Sequence, residues 1–300
     1  MGSPRVVAVV LNWNRRDDTR ECLESLAASD EPVGVVLVDN GSTECPAGEL
    51  VAGARSERFA GLELVANAEN LGFARGMNAG IRRALERDPR HVWILNNDVV
   101  VDPLAARRLA DALDERADVA AAGPLVYDRG HPGVLSNAGG RVSLARGRTW
   151  HVHEGRATPP CASPYPVDYV EGSAPMLRAL DLREQGGFDE AYGAYWEDVD
   201  WCLAARRRGR GVIVVPSARA FHRVSASSGV HSEYAMYHRA RNRFRCVRKH
   251  GSGADRVTAR LAALADLPLD LYHARRASGD ARASRAWLRG TWDGFLARGS

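Results

Sequence analysis

The chain has 300 residues, of which 45% are hydrophobic and 26% charged; these proportions are typical of a globular protein and exclude disorder as its main state. The net charge of +4, from 41 basic and 37 acidic residues, is too small to indicate a nucleic-acid partner. The longest apolar runs fall far short of the roughly 20 residues of a membrane-spanning helix, and the N-terminus has no secretory signal pattern, so we expect a cytoplasmic protein.

The first half of the chain alternates between strand and helix patterns. Short apolar runs rich in β-branched residues predict buried strands, and apolar residues at helical spacing predict helices. The predicted strands are residues 6–11, 33–38, 62–66 and 92–95, and the predicted helices are residues 17–28, 74–87 and 103–116. Repeated strand–helix–strand units predict an α/β fold with a mostly parallel central sheet flanked by helices.

The periodicity is weaker after Pro124, where pairs of glycines and prolines predict loops and a hairpin. Order returns with predicted strands at residues 167–170 and 212–215 and predicted helices at residues 179–185 and 198–208. Beyond Gly251, leucines mixed with arginines predict a C-terminal helical extension. Its apolar stripe is typical of a packing face, and a helix that lies on a membrane surface is the alternative.

Polar clusters stand at the ends of the first predicted strands. They are Asn12-Trp13-Asn14, Asp39-Asn40-Gly41-Ser42, Asn70-Leu71-Gly72 and Asn96-Asn97-Asp98. Each alone is also a good turn sequence. Because ligands bind outside the carboxyl ends of parallel strands, the four together predict a nucleotide site. The chain lacks both the G-x-G-x-x-G sequence after its first strand and a P-loop, which argues against a dinucleotide-dependent oxidoreductase and an ATPase.

Six segments resemble the inverting glycosyltransferases of family 2, above all their rhamnosyltransferase-like branch. They are Val9 to Asn12, Val36 to Ser42, Asn70 to Asn78, Leu95 to Asp98, Gly187 to Glu190 and Trp196 to Trp201, in the family's order. The resemblance implies the GT-A fold, built on a Rossmann-like sheet. We expect this domain in residues 1–250, with a nucleotide-sugar half (1–124) and an acceptor and catalytic half (125–250), followed by the helical extension (251–300).

The resemblance also implies which residues bind the donor. Those residues are Leu11, Asn12, Trp13, Asp39, Asn70, Gly72, Arg75, Asn97 and Asp98. Asp39 would accept a hydrogen bond from a pyrimidine base, and the backbone near Leu11 would line the nucleoside pocket. Asn70, Gly72 and Arg75 would lie beside the ribose and diphosphate.

A divalent metal, Mg²⁺ or Mn²⁺, is a further implication. Asn96-Asn97-Asp98 stands in the place of the family's D-x-D element, where here only Asp98 carries a charge. One carboxylate together with diphosphate oxygens still suits either ion. A histidine after the acidic motif often completes the metal shell in this family, which favours His222; His231 and His238 are the alternatives.

The catalytic base implied by the resemblance is Asp198, within Glu197-Asp198-Val199-Asp200 at the start of a predicted helix. An inverting transferase needs a carboxylate that removes the proton from the acceptor hydroxyl. The alternative is a structural role, in which these acidic residues only complement the dipole of the helix. Glu197, Asp200 and Trp196 are expected to shape the site or bind the acceptor.

The leading hypothesis is a metal-assisted inverting glycosyltransferase that transfers rhamnose or a related deoxysugar from a dTDP- or UDP-sugar. The acceptor is a glycan, a lipid-linked glycan or a small molecule. We expect a cytoplasmic enzyme, peripheral to the inner face of the membrane if the C-terminal helices contact it. A sugar-1-phosphate nucleotidyltransferase is the enzymatic alternative, and a nucleotide-sugar- or glycan-binding module without catalytic activity is the other.

Overall fold

The computed structural model describes residues 3–44, 47–54, 56–131, 133–223 and 232–297. The strands are β1 (Val6–Asn12), β2 (Val33–Asn40), β3 (Leu62–Asn67), β4 (His91–Asn96), β5 (Val99–Val101), β6 (Val119–Asp128), β7 (Leu135–Asn137), β8 (Gly140–Ser143), β9 (Arg148–His151), β10 (Tyr165–Pro166), β11 (Met176–Arg178) and β12 (Gly211–His222). The helices are α1 (Arg16–Ala27), α2 (Ala47–Gly53), α3 (Phe73–Leu85), α4 (Ala105–Glu115), α5 (Ala179–Gln185), α6 (Glu197–Arg207), α7 (Glu233–His250), α8 (Gly253–Ser278) and α9 (Ala281–Leu296).

The main sheet has its strands in the order β10, β12, β6, β11, β4, β1, β2, β3. β1 pairs in parallel with both β2 and β4, and β2 pairs in parallel with β3. β11 is antiparallel to its neighbours β4 and β6, while β6 and β12 are again parallel. The prediction of a mostly parallel sheet flanked by helices is therefore confirmed. Parallel pairing also brings the carboxyl ends of β1, β2 and β4 to one edge of the sheet.

Alternate residues of β1 face opposite sides of the sheet, and this explains its continuous run of valines. Val6, Ala8 and Val10 pack into a core that contains α1 and α4. Val7 and Val9 pack into a second core, which contains α3 and side chains of α6. Both cores are needed because a parallel strand must bury each of its faces.

The middle of the chain differs from its sequence-based prediction. Residues after Pro124 were expected to form loops, but β6 runs to Asp128 as a central strand. Its sequence, VAAAGPLVYD, is rich in alanine and contains Gly-Pro, which have low strand propensity, so that tertiary packing decides its structure. The strand expected at residues 167–170 is wrong: the strand is Tyr165–Pro166, and Tyr169 forms an isolated bridge to Gly140. The expected hairpin is present as β8 and β9.

The last three helices pack on one another. α9 lies along α7 and also contacts α8. Arg148 on β9 donates hydrogen bonds to Asp266 and Asp270 of α8, which attaches the helical extension to the hairpin. Over the ranges that the structure describes, every helix is too short or too polar to span a bilayer.

Candidate active site

A hydrogen-bond network joins the strand ends at the carboxyl edge of the sheet. Asn12, at the end of β1, donates to Asp39 at the end of β2 (3.3 Å) and accepts from Thr19 of α1 (2.8 Å). Asn97 donates to the Thr19 hydroxyl at 2.9 Å. Asn12, Asp39 and Asn97 are buried. The network fixes Asp39 and directs the Asn97 amide nitrogen toward Asn12 and Thr19, while the donor role of Asn97 stays a prediction.

Asp39 keeps one carboxylate oxygen for a ligand. Its Oδ1 accepts from Asn12, from the Ser42 hydroxyl and from the Ser42 backbone N–H. No residue of the described ranges donates to Oδ2. Trp13, which follows Asn12 and is 41% exposed, lies beside this edge of the sheet, and Leu11 is partly buried.

The segment around Asn70 is held by Asn40. Asn40 donates to the Asn70 side chain (2.9 Å) and to the Gly72 carbonyl (3.1 Å), and accepts from the Leu71 N–H. Gly72 has a φ of 79°, a left-handed conformation that favours glycine, and it precedes the first residue of α3. The predicted site residues Asn70 and Gly72 thus lie at the amino end of a helix, where an anion is stabilised.

Arg75 lies in the first turn of α3 and is more than half exposed. Its guanidinium is 3.5 Å from the Glu190 carboxylate, which Arg82 also approaches at 3.8 Å. Exposed pairs of this kind contribute little to stability. Arg75 is therefore free to exchange Glu190 for a phosphate group at small cost.

Asp98 and His222 meet although they lie 124 positions apart in the sequence. β12 extends beyond its predicted end to His222, and its last residues pair with β5, which places His222 opposite Val99. The His222 Nε2 lies 3.0 Å from the Asp98 Oδ1. Burial acts to lower the pKa of His222, but the hydrogen bond to Asp98 and the negative charges of Asp98 and Glu171 outweigh it and raise the pKa.

The donor set of this pair suits a hard divalent ion. A carboxylate oxygen and an imidazole nitrogen are ligands that Mg²⁺ or Mn²⁺ accepts, and both ions commonly complete their shells with substrate phosphates and water. The described residues contain no cluster of three or more acidic, histidine or cysteine ligands. Of the alternative histidines, His238 lies 3.2 Å from the Tyr192 carbonyl and packs on Tyr234. His231 lies outside the described residues.

The first residues of α6 are held in a fixed conformation. Tyr195 and Trp196, just before the helix, have φ angles of 66° and 77°, which are unfavourable for side chains of this size. The buried Asn242 of α7 donates to the carbonyls of Tyr192, Ala194 and Tyr195 at 2.8 to 2.9 Å. Trp196 is itself buried in the core, so its role is to shape this turn. α7 thereby sets the direction in which Glu197 and Asp198 project.

Asp198 is partly buried and faces the segment that precedes β11. Its carboxylate accepts from the Gly172 N–H at 2.8 Å and from the Val199 N–H at 2.7 Å. Burial raises the pKa of Asp198 to about 6, although these two hydrogen bonds act in the opposite direction; Glu171 adds to the rise. A carboxylate with a raised pKa is a stronger base and still ionised at neutral pH.

Glu197, which precedes Asp198, is buried and only 5% exposed. Its Oε2 has no hydrogen-bond partner within the described part of the chain. Burial, together with the charge of Asp198, raises the pKa of Glu197 well above its usual range. We therefore assign the proton of this acidic pair to Glu197, which leaves Asp198 ionised.

Asp200 has a different environment. It accepts from the Tyr192 hydroxyl (3.0 Å) and the Lys249 ammonium (2.7 Å), and its Oδ1 lies 2.7 Å from the His250 Nε2. Asp200 is buried, and these contacts join α6 to the end of α7. These contacts fit the site-shaping alternative for Asp200, and its contact with the acceptor stays a prediction.

We expect Asp200→Ala to lower the free energy of unfolding by about 2–3 kcal/mol, because a buried tyrosine hydroxyl and histidine lose their acceptor. The half-exposed Lys249 limits the loss. Urea unfolding of the variant beside the wild type measures this difference. An unchanged free energy of unfolding combined with lost activity would instead place Asp200 in the site.

The arginines of α7 do not form a phosphate-binding face. Arg243 is buried between α8 and α9, with Asp270 and Thr291 as partners. Arg239 and Arg245 lie over the rings of Tyr195 and Tyr192, and Arg241 donates to backbone carbonyls. Arg223, just after β12, forms an ion pair with Asp18.

Two features of the site were missing from the sequence-based prediction. The first is the segment 171–173, which runs beside β4, where the Ser173 carbonyl accepts from the Asn96 N–H. This position lets the Gly172 N–H donate to the Asp198 carboxylate. An acidic residue followed by Gly-Ser before an apolar run was the available signal. Asn242 gave a weaker signal, as a single amide within an arginine-rich helix.

Comparison with known proteins agrees with this geometry. The sequence model described as "Glycosyl transferase family 2" matches residues 7–137. The N-acetylglucosaminyl-diphospho-decaprenol L-rhamnosyltransferase of Mycobacterium tuberculosis is 30% identical over 246 residues, which are 75% of this chain and 78% of that protein. The dTDP-rhamnosyl transferase RfbF of Shigella flexneri is 25% identical over 198 residues, 63% of this chain and 64% of that protein.

Among solved structures, a mannosyltransferase from Pyrobaculum calidifontis, in complex with GDP-Man and Mn²⁺, superposes with a TM-score of 0.58 at 18% identity. The match covers 98% of this chain and 87% of that one, which shows the shared GT-A fold. Sequence and fold thus lead to the same assignment, and the alternative of a nucleotidyltransferase is not favoured. The chain is a glycosyltransferase and belongs to family 2, in its rhamnosyltransferase-like branch.

Proposed function

We propose that the protein transfers rhamnose or a related deoxysugar from a dTDP- or UDP-sugar to an acceptor hydroxyl, with inversion at the anomeric carbon. The observation that carries the proposal is the segment 171–173, which links the two halves of the site: its Gly172 N–H donates to Asp198, and its Ser173 carbonyl accepts from the Asn96 N–H at the end of β4. Asp198 is therefore bound to the segment that borders the end of β4, where the Asp98–His222 pair follows. The rhamnosyltransferase relatives support the choice of sugar.

In the proposed reaction, Asp198 accepts the proton of the acceptor hydroxyl. The hydroxyl oxygen attacks the anomeric carbon from the face opposite the leaving group. The bond between that carbon and the diphosphate oxygen breaks, and the nucleoside diphosphate leaves with the bonding electrons. The Gly172 and Val199 N–H groups hold the carboxylate in place during this step.

Asp98 and His222 are the residues that would hold a divalent ion, Mg²⁺ or Mn²⁺. When bound, the ion would neutralise negative charge on the leaving diphosphate. The donor set described above supports this assignment, and the Mn²⁺ complex of the structural relative is consistent with it. Arg75 adds an exposed positive charge at the amino end of α3.

We further propose an acceptor that is a lipid-linked glycan, in preference to a free glycan or a small molecule. The name of the mycobacterial relative, which specifies a diphospho-decaprenol substrate, supports this choice. The enzyme would then work in the cytoplasm at the inner face of the membrane, in peripheral contact through α8 and α9. We also propose the division into a GT-A domain (1–250) and a helical extension (251–300).

A panel of nucleotide sugars, compared by thermal shift in the presence of Mn²⁺, tests the donor. Ligands that bind the native state raise its melting temperature. We expect dTDP-rhamnose, dTDP and UDP to give the largest shifts and GDP-mannose the smallest. A larger shift with GDP-mannose would overturn the assignment of the pyrimidine nucleobase and of the sugar together.

The activity should depend on pH through Asp198. Because only the ionised carboxylate accepts a proton, kcat/KM should rise with pH up to about 6, the value to which burial raises the pKa of Asp198, and level off above it. Initial rates from acid to neutral pH measure this profile. A rate that stays constant down to the ordinary carboxylate range would show that another group is the base.

Asp39 should determine which nucleobase the protein prefers. If its free Oδ2 accepts from the N3–H of uracil or thymine, Asp39→Ala should weaken dTDP binding by roughly 1.5–3 kcal/mol, the worth of a hydrogen bond to a charged group. Calorimetric titration with dTDP and GDP measures the difference. The wild type should prefer dTDP, and the variant should prefer it much less; equal affinity of the wild type for both would exclude this role.

A further inference from the structure

α8 carries its large apolar side chains on the face that points away from the protein. Val257, Leu261, Leu264, Pro268 and Tyr272 recur every three or four residues, so they share one face of the helix. All five are exposed, Leu261 to 61%. The opposite, buried face has alanines: Ala259, Ala263 and Ala274. This is the reverse of the usual pattern, in which the large apolar residues face the core.

α9 has the same arrangement. Its inward residues are small because α7 approaches closely: a Cβ at Gly290 would lie 2.2 Å from the Tyr237 carbonyl oxygen. Its outward residues are Leu288, Trp292 and Leu296, all exposed. Trp292 stacks on Phe295, and the ring of Phe295 lies under the guanidinium of Arg260 on α8. The apolar residues of α8 and α9 therefore adjoin at this end of the helix pair.

The charges on these helices are sorted in the same way. Among the described residues of α8 and α9, the acidic side chains are engaged within the protein. Asp255 caps α8, Asp266 and Asp270 bind Arg148, and Asp293 accepts from Tyr237. Exposed arginines lie on or beside the outward faces, namely Arg275, Arg276, Arg285 and Arg289. The outward surface is thus apolar and basic, with a tyrosine and a tryptophan among its apolar residues.

We propose that these outward faces of α8 and α9, the C-terminal surface, bind a bilayer that contains anionic lipids. Leucine with tryptophan and arginine is the combination that lies in the headgroup region of a membrane, with the apolar chains inserted and the guanidinium groups on the phosphates. The complementary charge selects an anionic bilayer, because a second copy of the chain would bring arginines against arginines. The proposal specifies the membrane contact of the proposed function but depends on neither sugar nor acceptor.

Sedimentation of the full chain with vesicles tests the proposal without any nucleotide sugar. We expect binding to vesicles of phosphatidylcholine mixed with phosphatidylglycerol, weak binding to phosphatidylcholine alone, and release as the salt concentration rises. Leu261→Glu combined with Leu264→Glu should reduce the partition coefficient roughly tenfold or more, and Arg275→Glu combined with Arg276→Glu by a similar factor. Both double variants should keep the wild-type affinity for the donor nucleotide.

Leu180→Glu is the matched control, since Leu180 is a leucine of similar exposure on α5. This variant should bind vesicles as the wild type does. Equal binding to neutral and anionic vesicles, or no binding to either, would overturn the proposal. A dimer in solution that the Leu261→Glu and Leu264→Glu changes dissociate, without any vesicle binding, would assign the C-terminal surface to a second copy instead.

Discussion

Replacement of Asp198 by asparagine should lower kcat by roughly 10²–10⁴-fold, the usual contribution of a positioned base. Asparagine keeps the size of the side chain and removes its basicity. Gly172 and Val199 donate to different carboxylate oxygens, so the single amide oxygen of asparagine keeps only one of these two hydrogen bonds, and the melting temperature of the variant checks that the fold is retained. The affinity for the donor nucleotide should stay near that of the wild type, since Asp198 acts on the acceptor. Steady-state rates and nucleotide titration together separate these two effects.

Asp118→Asn is the control for this substitution, because Asp118 is exposed and precedes β6 at the opposite edge of the sheet. It should leave both kcat and donor affinity unchanged. A kcat close to the wild-type value in Asp198→Asn would eliminate Asp198 as the base. Lost donor binding with a normal melting temperature would move Asp198 to the sugar or metal site.

Removal of divalent ions should have an effect of comparable size. We expect EDTA to lower turnover by about 100-fold or more, because charge neutralisation on a leaving diphosphate contributes several kcal/mol, and Mn²⁺ or Mg²⁺ to restore it. His222→Ala should raise the Mn²⁺ concentration needed for half-maximal activity. Titration of the chelated enzyme with Mn²⁺ measures both quantities.

His273→Ala, a change at an exposed histidine of α8, is the matched control and should leave the Mn²⁺ dependence unchanged. Full activity in EDTA would exclude the ion and, with it, the assignment of Asp98 and His222. If His222→Ala alone has no effect on the Mn²⁺ dependence, His238 or His231 becomes the better candidate.

The nucleotide half of the site could be predicted from the sequence because it depends on local patterns. The valine runs of β1 and β2 fix their place inside a parallel sheet, and parallel pairing then brings Asn12 and Asp39 to one edge. The helix that contains Gly76 and Gly80 was predictable for the same reason. A Cβ at Gly80 would overlap Val9 and Val38, so this glycine lets the helix lie close to the sheet.

The second half depends on contacts between distant residues, which no local pattern records. β6 is a strand because β11 and β12 pair with it, in spite of its alanines and its Gly-Pro sequence. Asp200 and Asp198 are alike in the sequence, two acids in the first turn of one helix. Lys249 and His250, about 50 residues later, contact the Asp200 carboxylate, whereas burial and the charge of Glu171 raise the pKa of Asp198.

The products formed from dTDP-rhamnose in the presence of Mn²⁺ test the central claim most directly, since slow transfer to water needs no knowledge of the acceptor. We predict release of dTDP and free rhamnose by the wild type, with Mn²⁺ required and little release by Asp198→Asn. Bond cleavage at the anomeric carbon distinguishes a glycosyltransferase from the alternatives. The account would be contradicted by a wild-type enzyme that leaves the donor intact while it forms dTDP-rhamnose and pyrophosphate from dTTP and rhamnose 1-phosphate.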